Sequence, residues 1–309
     1  MKRFVTYFAM FAAMVVALLL AAEAVVRHHP NSYKYKDTWM TRNAERVSTL
    51  VLGGSHSYYG VDASLLGDSA FNLANVSQHP EYDYFVLRRY GDRCPRLRRV
   101  IVVVDAVNIF DPPIEQLDGD RARATAYRLY MDCDKHSRCS RYGMELFNLR
   151  EFNRKLLPSL RHLLRGDAQA DCDTLGRFNR HDSSRAVSVA ELERTALKAA
   201  ERHRCTDYRH VAYNCAWLDS IGDYCRRRGI DIVVLTPPAY STYRKHIPQR
   251  QRDTMRAVAA KFARSYHARR VDLFDADSTF TAECYLDADH LNREGASRLS
   301  NLLVSKAGQ

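Results

Sequence analysis

The longest apolar stretch opens the chain. Lys2 and Arg3 precede residues 4–22, and from Phe8 to Ala22 no polar side chain interrupts the run. About 20 such residues satisfy their own backbone as a helix and cross a bilayer. The two leading charges keep the start inside and send the remainder across. This length favours an uncleaved anchor over residues 1–26, giving a single-pass protein of the inner or cytoplasmic membrane with a periplasmic domain. A cleaved signal peptide and a secreted product are the alternative, because Ala22-Glu23-Ala24 has the small-x-small form of a processing site.

Residues 27–46 are polar and rich in Tyr and Lys, and they read as a linker. Beyond them, short apolar runs alternate with amphipathic ones. Runs at 47–52, 70–74, 100–104, 230–235 and 270–274 predict five strands. The first stops at Gly53-Gly54 and the fourth at Thr236-Pro237-Pro238, where proline forbids continuation. Continuous Val- and Ile-rich runs suit a parallel sheet covered on both faces. Helical spacing appears at 81–90, 207–228, 249–266 and 293–306, the third ending near Tyr266 and the last opening on Asn292 as N-cap. Strands alternating with helices predict a three-layer α/β/α fold in flavodoxin-like 2-1-3-4-5 order, over residues 47–309. Residues 114–205 carry no strand-like run and form a helical insertion, read as a lid or a partner-binding subdomain.

Composition narrows the classes. Of 309 residues, 27% are charged and 46% apolar, which excludes a disordered, collagenous or multi-span chain. The formal charge is +11, with the densest basic stretch at Arg88, Arg89, Arg93, Arg96, Arg98 and Arg99. Outside the cytoplasm that charge meets no genomic DNA. A solvated surface explains it most simply, and anionic lipid heads or an acidic polysaccharide are the functional alternative. Eight cysteines in an oxidising space suggest up to four disulfides, with Cys133 and Cys139 the first pair to test. No C-x-x-C pair supports a zinc site.

Ligands of an open parallel sheet bind beyond the carboxyl ends of its strands. Gly53-Gly54-Ser55-His56-Ser57 follows the first predicted strand. Asn72, Asn75 and Ser77 end the second, Asp105 and Asn108 the third, and Asp287-Ala288-Asp289-His290 precedes the last helix. A serine hydroxyl becomes a nucleophile when a base takes its proton, which His290 could do. Asp287 would fix the tautomer of that imidazole, with Asp289 the less well spaced substitute. The Ser55 N–H beside Gly54, a backbone N–H near Asn75 and the Asn108 side chain are candidate oxyanion donors. Ser57 is the second choice of nucleophile, and His56 reads as pocket lining.

Those residues resemble the SGNH (GDSL-like) hydrolase superfamily: a strand followed by Gly-Gly-Ser55, the Asn72/Asn75 segment, Asn108 after a Val-rich strand, and Asp287-x-x-His290-Leu-Asn-x-x-Gly295-Ala296. The resemblance spans most of residues 47–306 except the insertion. It implies catalysis by Ser55, His290 and Asp287 through an acyl-enzyme, with no metal or other cofactor. Membrane-anchored relatives act on acyl groups of envelope polysaccharides, some beside membrane-bound O-acyltransferases, so an esterase or O-acetyltransferase is implied. The pattern also departs from the family. Gly54 replaces the acidic residue before the serine, Ala74 or Asn75 replaces a glycine, and Asp105-Ala106-Val107-Asn108 replaces Gly-x-Asn-Asp. A literal Gly67-Asp68-Ser69 precedes a strand and reads as a decoy. These departures motivate a rival: an inactive scaffold that keeps the fold and holds polysaccharide or an integral-membrane acyltransferase.

Overall fold

The computed structural model describes residues 1–67, 69–117, 121–133, 143–166, 170–179 and 187–305. Five strands, β1 (Thr49–Val51), β2 (Ala70–Asn72), β3 (Arg99–Val103), β4 (Asp231–Thr236) and β5 (Arg269–Asp272), form one parallel sheet in the order β2-β1-β3-β4-β5. Leu50 lies between Phe71 and Val100 in register. The helices are α1 (Lys2–His28), α2 (Ser32–Asn43), α3 (Ser55–Gly60), α4 (Pro80–Gly91), α5 (Arg121–Met131) and α6 (Leu149–Arg165). They continue with α7 (Val189–His203), α8 (Arg209–Arg228), α9 (Ser241–His246), α10 (Gln249–Ser265) and α11 (Arg293–Ser305). The three-layer α/β/α fold expected from the pattern is the fold observed.

Alternation along the strands builds two cores. Leu50, Phe71, Val100 and Val102 face α4, α8 and α10 through Val86, Leu87, Leu218, Ile221 and Met255. Val51, Ile101, Val103 and Val233 face the other way, onto Leu299 and Leu303 of α11 and Leu192 of α7. With both faces covered, β1 to β4 are buried along nearly their whole length and read as apolar runs, whereas the edge strand β5 exposes Arg270 and Asp272 around buried Val271.

The polar stretch 27–46 is not a tether. It folds as α2, with Met40 in the first core and Trp39 stacked on Phe71 at 3.9 Å between ring centroids. Lys36 is buried there. Its Nζ donates to the Ala74 carbonyl and sits 4.2 Å above the Tyr58 ring, and burial pushes its pKa down to about 7. A segment dominated by polar residues still docks, because its few apolar side chains and one satisfied lysine all face inward.

The described residues of the insertion are mainly helical, as expected, and are stitched to the sheet. The Asn72 N–H donates to the Leu175 carbonyl, and the Phe178 N–H to the Tyr58 carbonyl. Gly176 sits at φ +90°, where an added Cβ would lie 2.2 Å from the Asn72 carbonyl oxygen, so only glycine permits this approach. The seven described cysteines form no disulfides, contrary to expectation, and burial pushes the Cys94 and Cys225 thiols up to about 12. The expected Cys133–Cys139 pair cannot be placed, since residue 139 lies outside the described residues. Arg98 and Arg99 mark the amino-terminal edge of β3, and Arg88, Arg93, Arg96 and Arg98 are exposed.

Truncating Met40 tests the packing of α2. Met40→Ala should destabilise the full chain by about 2–5 kcal/mol in urea unfolding, as for buried methionines elsewhere. A loose linker would leave stability within about 0.5 kcal/mol.

Candidate active site

Two segments far apart in sequence meet at the carboxyl edge of the sheet. β1 runs out into Gly53, whose φ of +118° turns the chain sharply and whose missing Cβ avoids Ser57 Oγ and Val103. Ser55 then opens α3, with Gly54 at the N-cap. The buried Asp83 carboxylate braces this turn by accepting from the Gly53 N–H at 2.7 Å and from Gln78 at 2.6 Å. Burial pushes its pKa up to about 7 against those two bonds.

His290 arrives from the loop between β5 and α11. Asn292 locks that loop: its Nδ2 donates to the Glu283 and Tyr285 carbonyls, while its Oδ1 accepts from the Gly295 N–H at 3.0 Å. Asp287 Oδ1 accepts the N–H groups of Asp289 and His290, closing an Asx-type turn. The turn aims the imidazole at the sheet edge.

The outcome is a continuous relay. His290 Nε2 lies 2.8 Å from Ser55 Oγ, and His290 Nδ1 lies 2.9 Å from Asp287 Oδ1. A proton on Nδ1, held by the carboxylate, leaves Nε2 free to accept from the serine. Burial opposes charge on His290, but the Asp289 and Asp287 carboxylates outweigh it and raise its pKa to about 9. Burial likewise opposes charge on Asp287, yet His290 holds that carboxyl well below the usual range.

The other sequence candidates take different places. Ser57 is buried and donates to the Leu52 carbonyl at 2.8 Å, which removes it as a nucleophile. Ser69 accepts from Ser48 through its carbonyl at the opposite end of the sheet, and Asp68 of the decoy motif lies outside the described residues. The Asn75 N–H donates to the Gly53 carbonyl and its Oδ1 accepts from Ser32, leaving Nδ2 without a partner. The Asn108 amide does not take the open position expected of an oxyanion donor. Its Oδ1 accepts from the Asp105 N–H and its Nδ2 donates to the Val103 carbonyl, so it caps the turn after β3.

A second polar cluster backs the relay and was only partly visible in the sequence. His56 Nδ1 pairs with Asp105 Oδ2 at 2.7 Å and its ring stacks on His290 at 5.3 Å. Buried Asp289 lies 3.6 Å from His290, 3.7 Å from His203 and 3.9 Å from His56. Burial lowers the His203 pKa to about 4 despite Asp289. His203 closes α7 in the insertion, where no spacing signal linked it to the site. Tyr59 adds a ring 4.9 Å from that of His290. His56, Asp289 and His290 offer three potential metal ligands. Both His290 nitrogens are engaged by Ser55 and Asp287, so a cation there would have to break the relay.

A cavity of about 80 Å³ opens beside Ser55, lined by Gly54, Ser55, His56, Ser77, Gln78, Asp105, Asn108 and His203. Polar side chains and apolar surface, Val107 included, share its walls. A larger cavity of about 220 Å³ lies away from Ser55, between α1, α5 and α6.

The His290 ring should titrate near pH 9 by NMR, and Asp289→Asn should lower that value. Because the folded pKa exceeds the unfolded value of about 6.5, the stabilisation is complete below that pH. It should be lost as pH rises through about 9, as read by thermal unfolding at successive pH values.

No family model matches the chain. No curated protein matches it either. Among solved structures it is similar to a lipase/acylhydrolase from Enterococcus faecalis, at 14% identity and a TM-score of 0.40, with 84% of this chain and 95% of that chain covered.

Proposed function

We propose that the chain is a membrane-anchored, extracytoplasmic serine esterase or O-acyltransferase acting on acetyl esters of envelope polysaccharide or exopolysaccharide. The observation that carries this reading is the unbroken hydrogen-bonded series Ser55–His290–Asp287. Ser55 Oγ attacks the ester carbonyl carbon while His290 Nε2 takes the hydroxyl proton. The tetrahedral intermediate collapses, the C–O bond to the sugar breaks, and His290 returns the proton to the leaving alkoxide. Water or a second sugar hydroxyl then attacks the acetyl-enzyme, with His290 again the base. Candidate oxyanion donors are the Ser55 N–H at the start of α3 and the unpartnered Asn75 amide. The small cavity beside Ser55, about 80 Å³, suits an acetyl group better than a long acyl chain.

Retention of α1 is favoured by Glu23. Its carboxylate accepts the N–H groups of Glu145 and Leu146, both at 2.9 Å, and pairs with Arg27 at 2.6 Å. Cleavage after Ala24 would strip that carboxylate from the folded domain. A non-catalytic scaffold that holds polysaccharide or partners a membrane-bound O-acyltransferase is the second reading. It is favoured by Asn108, whose amide is committed to its own turn.

The full chain in detergent should react with a fluorophosphonate probe and cleave an activated acetyl ester. Ser55→Ala should abolish labelling, and His290→Ala should lower kcat by about 10⁶-fold, while Ser69→Ala leaves both signals intact. Since the base must be neutral, kcat/KM should rise with pH toward about 9. A wild-type chain that neither labels nor cleaves would transfer the assignment to the scaffold. Added sugar acceptors that divert acetyl from water would mark a transferase.

A further inference from the structure

Helix α6 carries a feature that the catalytic edge does not use. Leu149, Leu157, Leu160 and Leu164 recur at helical spacing and are all exposed, from 41% at Leu160 to 79% at Leu164, with Phe147 exposed just before them. Beside this stripe runs a second one of exposed Arg150, Arg154, Arg161 and Arg165. The opposite face, with Phe152 and Ser159, is buried. Such a helix would be a poor surface for water.

Its position explains the pattern. α6 is joined to α1 where the apolar run ends: Glu145 and Leu146 meet Glu23, the Gly143 carbonyl accepts from Arg27, and the His162 ring lies 5.1 Å from that of His29. These joints hold α6 against the end of α1, beside Glu23, its first charged residue after the apolar run.

We infer that α6 lies in the surface of an anionic phospholipid bilayer, with its leucines among the acyl chains and its arginines at the phosphates. This inference rests on the reading of α1 as a retained anchor. The leucine stripe matches the depth of an interfacial helix, and arginine stems reach upward from that depth to pair with phosphate. The continuity of α6 with the candidate span selects lipid over another protein as the occupant, and the positive stripe selects anionic heads.

The test uses the full chain in vesicles of phosphatidylethanolamine and phosphatidylglycerol, with photoreactive benzoylphenylalanine replacing Leu157, Leu164, Phe11 or Arg227 in turn. Phe11 lies in the apolar run and Arg227 on an exposed face of α8. Lipid adducts, read by mass, should form at Phe11, Leu157 and Leu164, several-fold above Arg227. Adducts at Phe11 with none at Leu157 and Leu164, or cross-linked dimers from those two sites, would overturn the inference while leaving the anchor standing. No adducts at any position would remove both. Replacing Arg150, Arg154, Arg161 and Arg165 by Gln should cut the Leu164 yield several-fold. An unchanged yield would overturn the role given to anionic heads.

Discussion

The hydrogen bond between His290 Nε2 and Ser55 Oγ joins residues 235 positions apart, and much of the fold can be understood as the means of closing it. A parallel sheet places the ends of β1 and β5 on the same edge, but three strands separate them in sequence order and in space the gap must be bridged by loops. Gly53 turns the first loop inward. The Asn292 amide and the Asp287 turn carry the second one across the sheet. Both loops are therefore braced by buried polar groups, whose cost is met only because each is hydrogen-bonded.

Much of this was legible in the residues themselves. Four of the runs match buried strands because a sheet covered on both faces leaves little polar alternation there, while β5, at the edge, is marked mainly by Val271 between exposed Arg270 and Asp272. Asn292 was readable as a cap, and the three-residue interval from Asp287 to His290 is what a turn needs to fold a carboxylate onto an imidazole. Other features were hidden for physical reasons. An amide at a strand end can face a cavity or its own turn, and nothing in the spacing around Asn108 chose between them. His203 reaches Asp289 from the far end of the insertion, a contact that exists only in three dimensions. Residues 27–46 read as linker because a buried lysine looks solvent-loving until its carbonyl partner is known.

Charge is divided by place. The arginines around β3 sit at the amino-terminal end of the sheet, and their exposure fits a hydrated surface. At the opposite edge, Asp105, Asp287 and Asp289 gather around three imidazoles. Asp289 and Asp287 hold His290 toward its protonated form, so on the proposed reading the same groups that orient the imidazole also restrain it until the pH rises.

The junction between α1 and α2 has a mechanical consequence. Only His29, Pro30 and Asn31 separate the two helices, and three residues span at most about 11 Å. With Glu23 clasped by the insertion, the first helix is a bracket and not a leash. A chain held this way keeps the serine at one fixed height and tilt above whatever plane the bracket stands in. Its reach is then a thin slab of space, which on the proposed reading is where an acetylated polymer would have to pass.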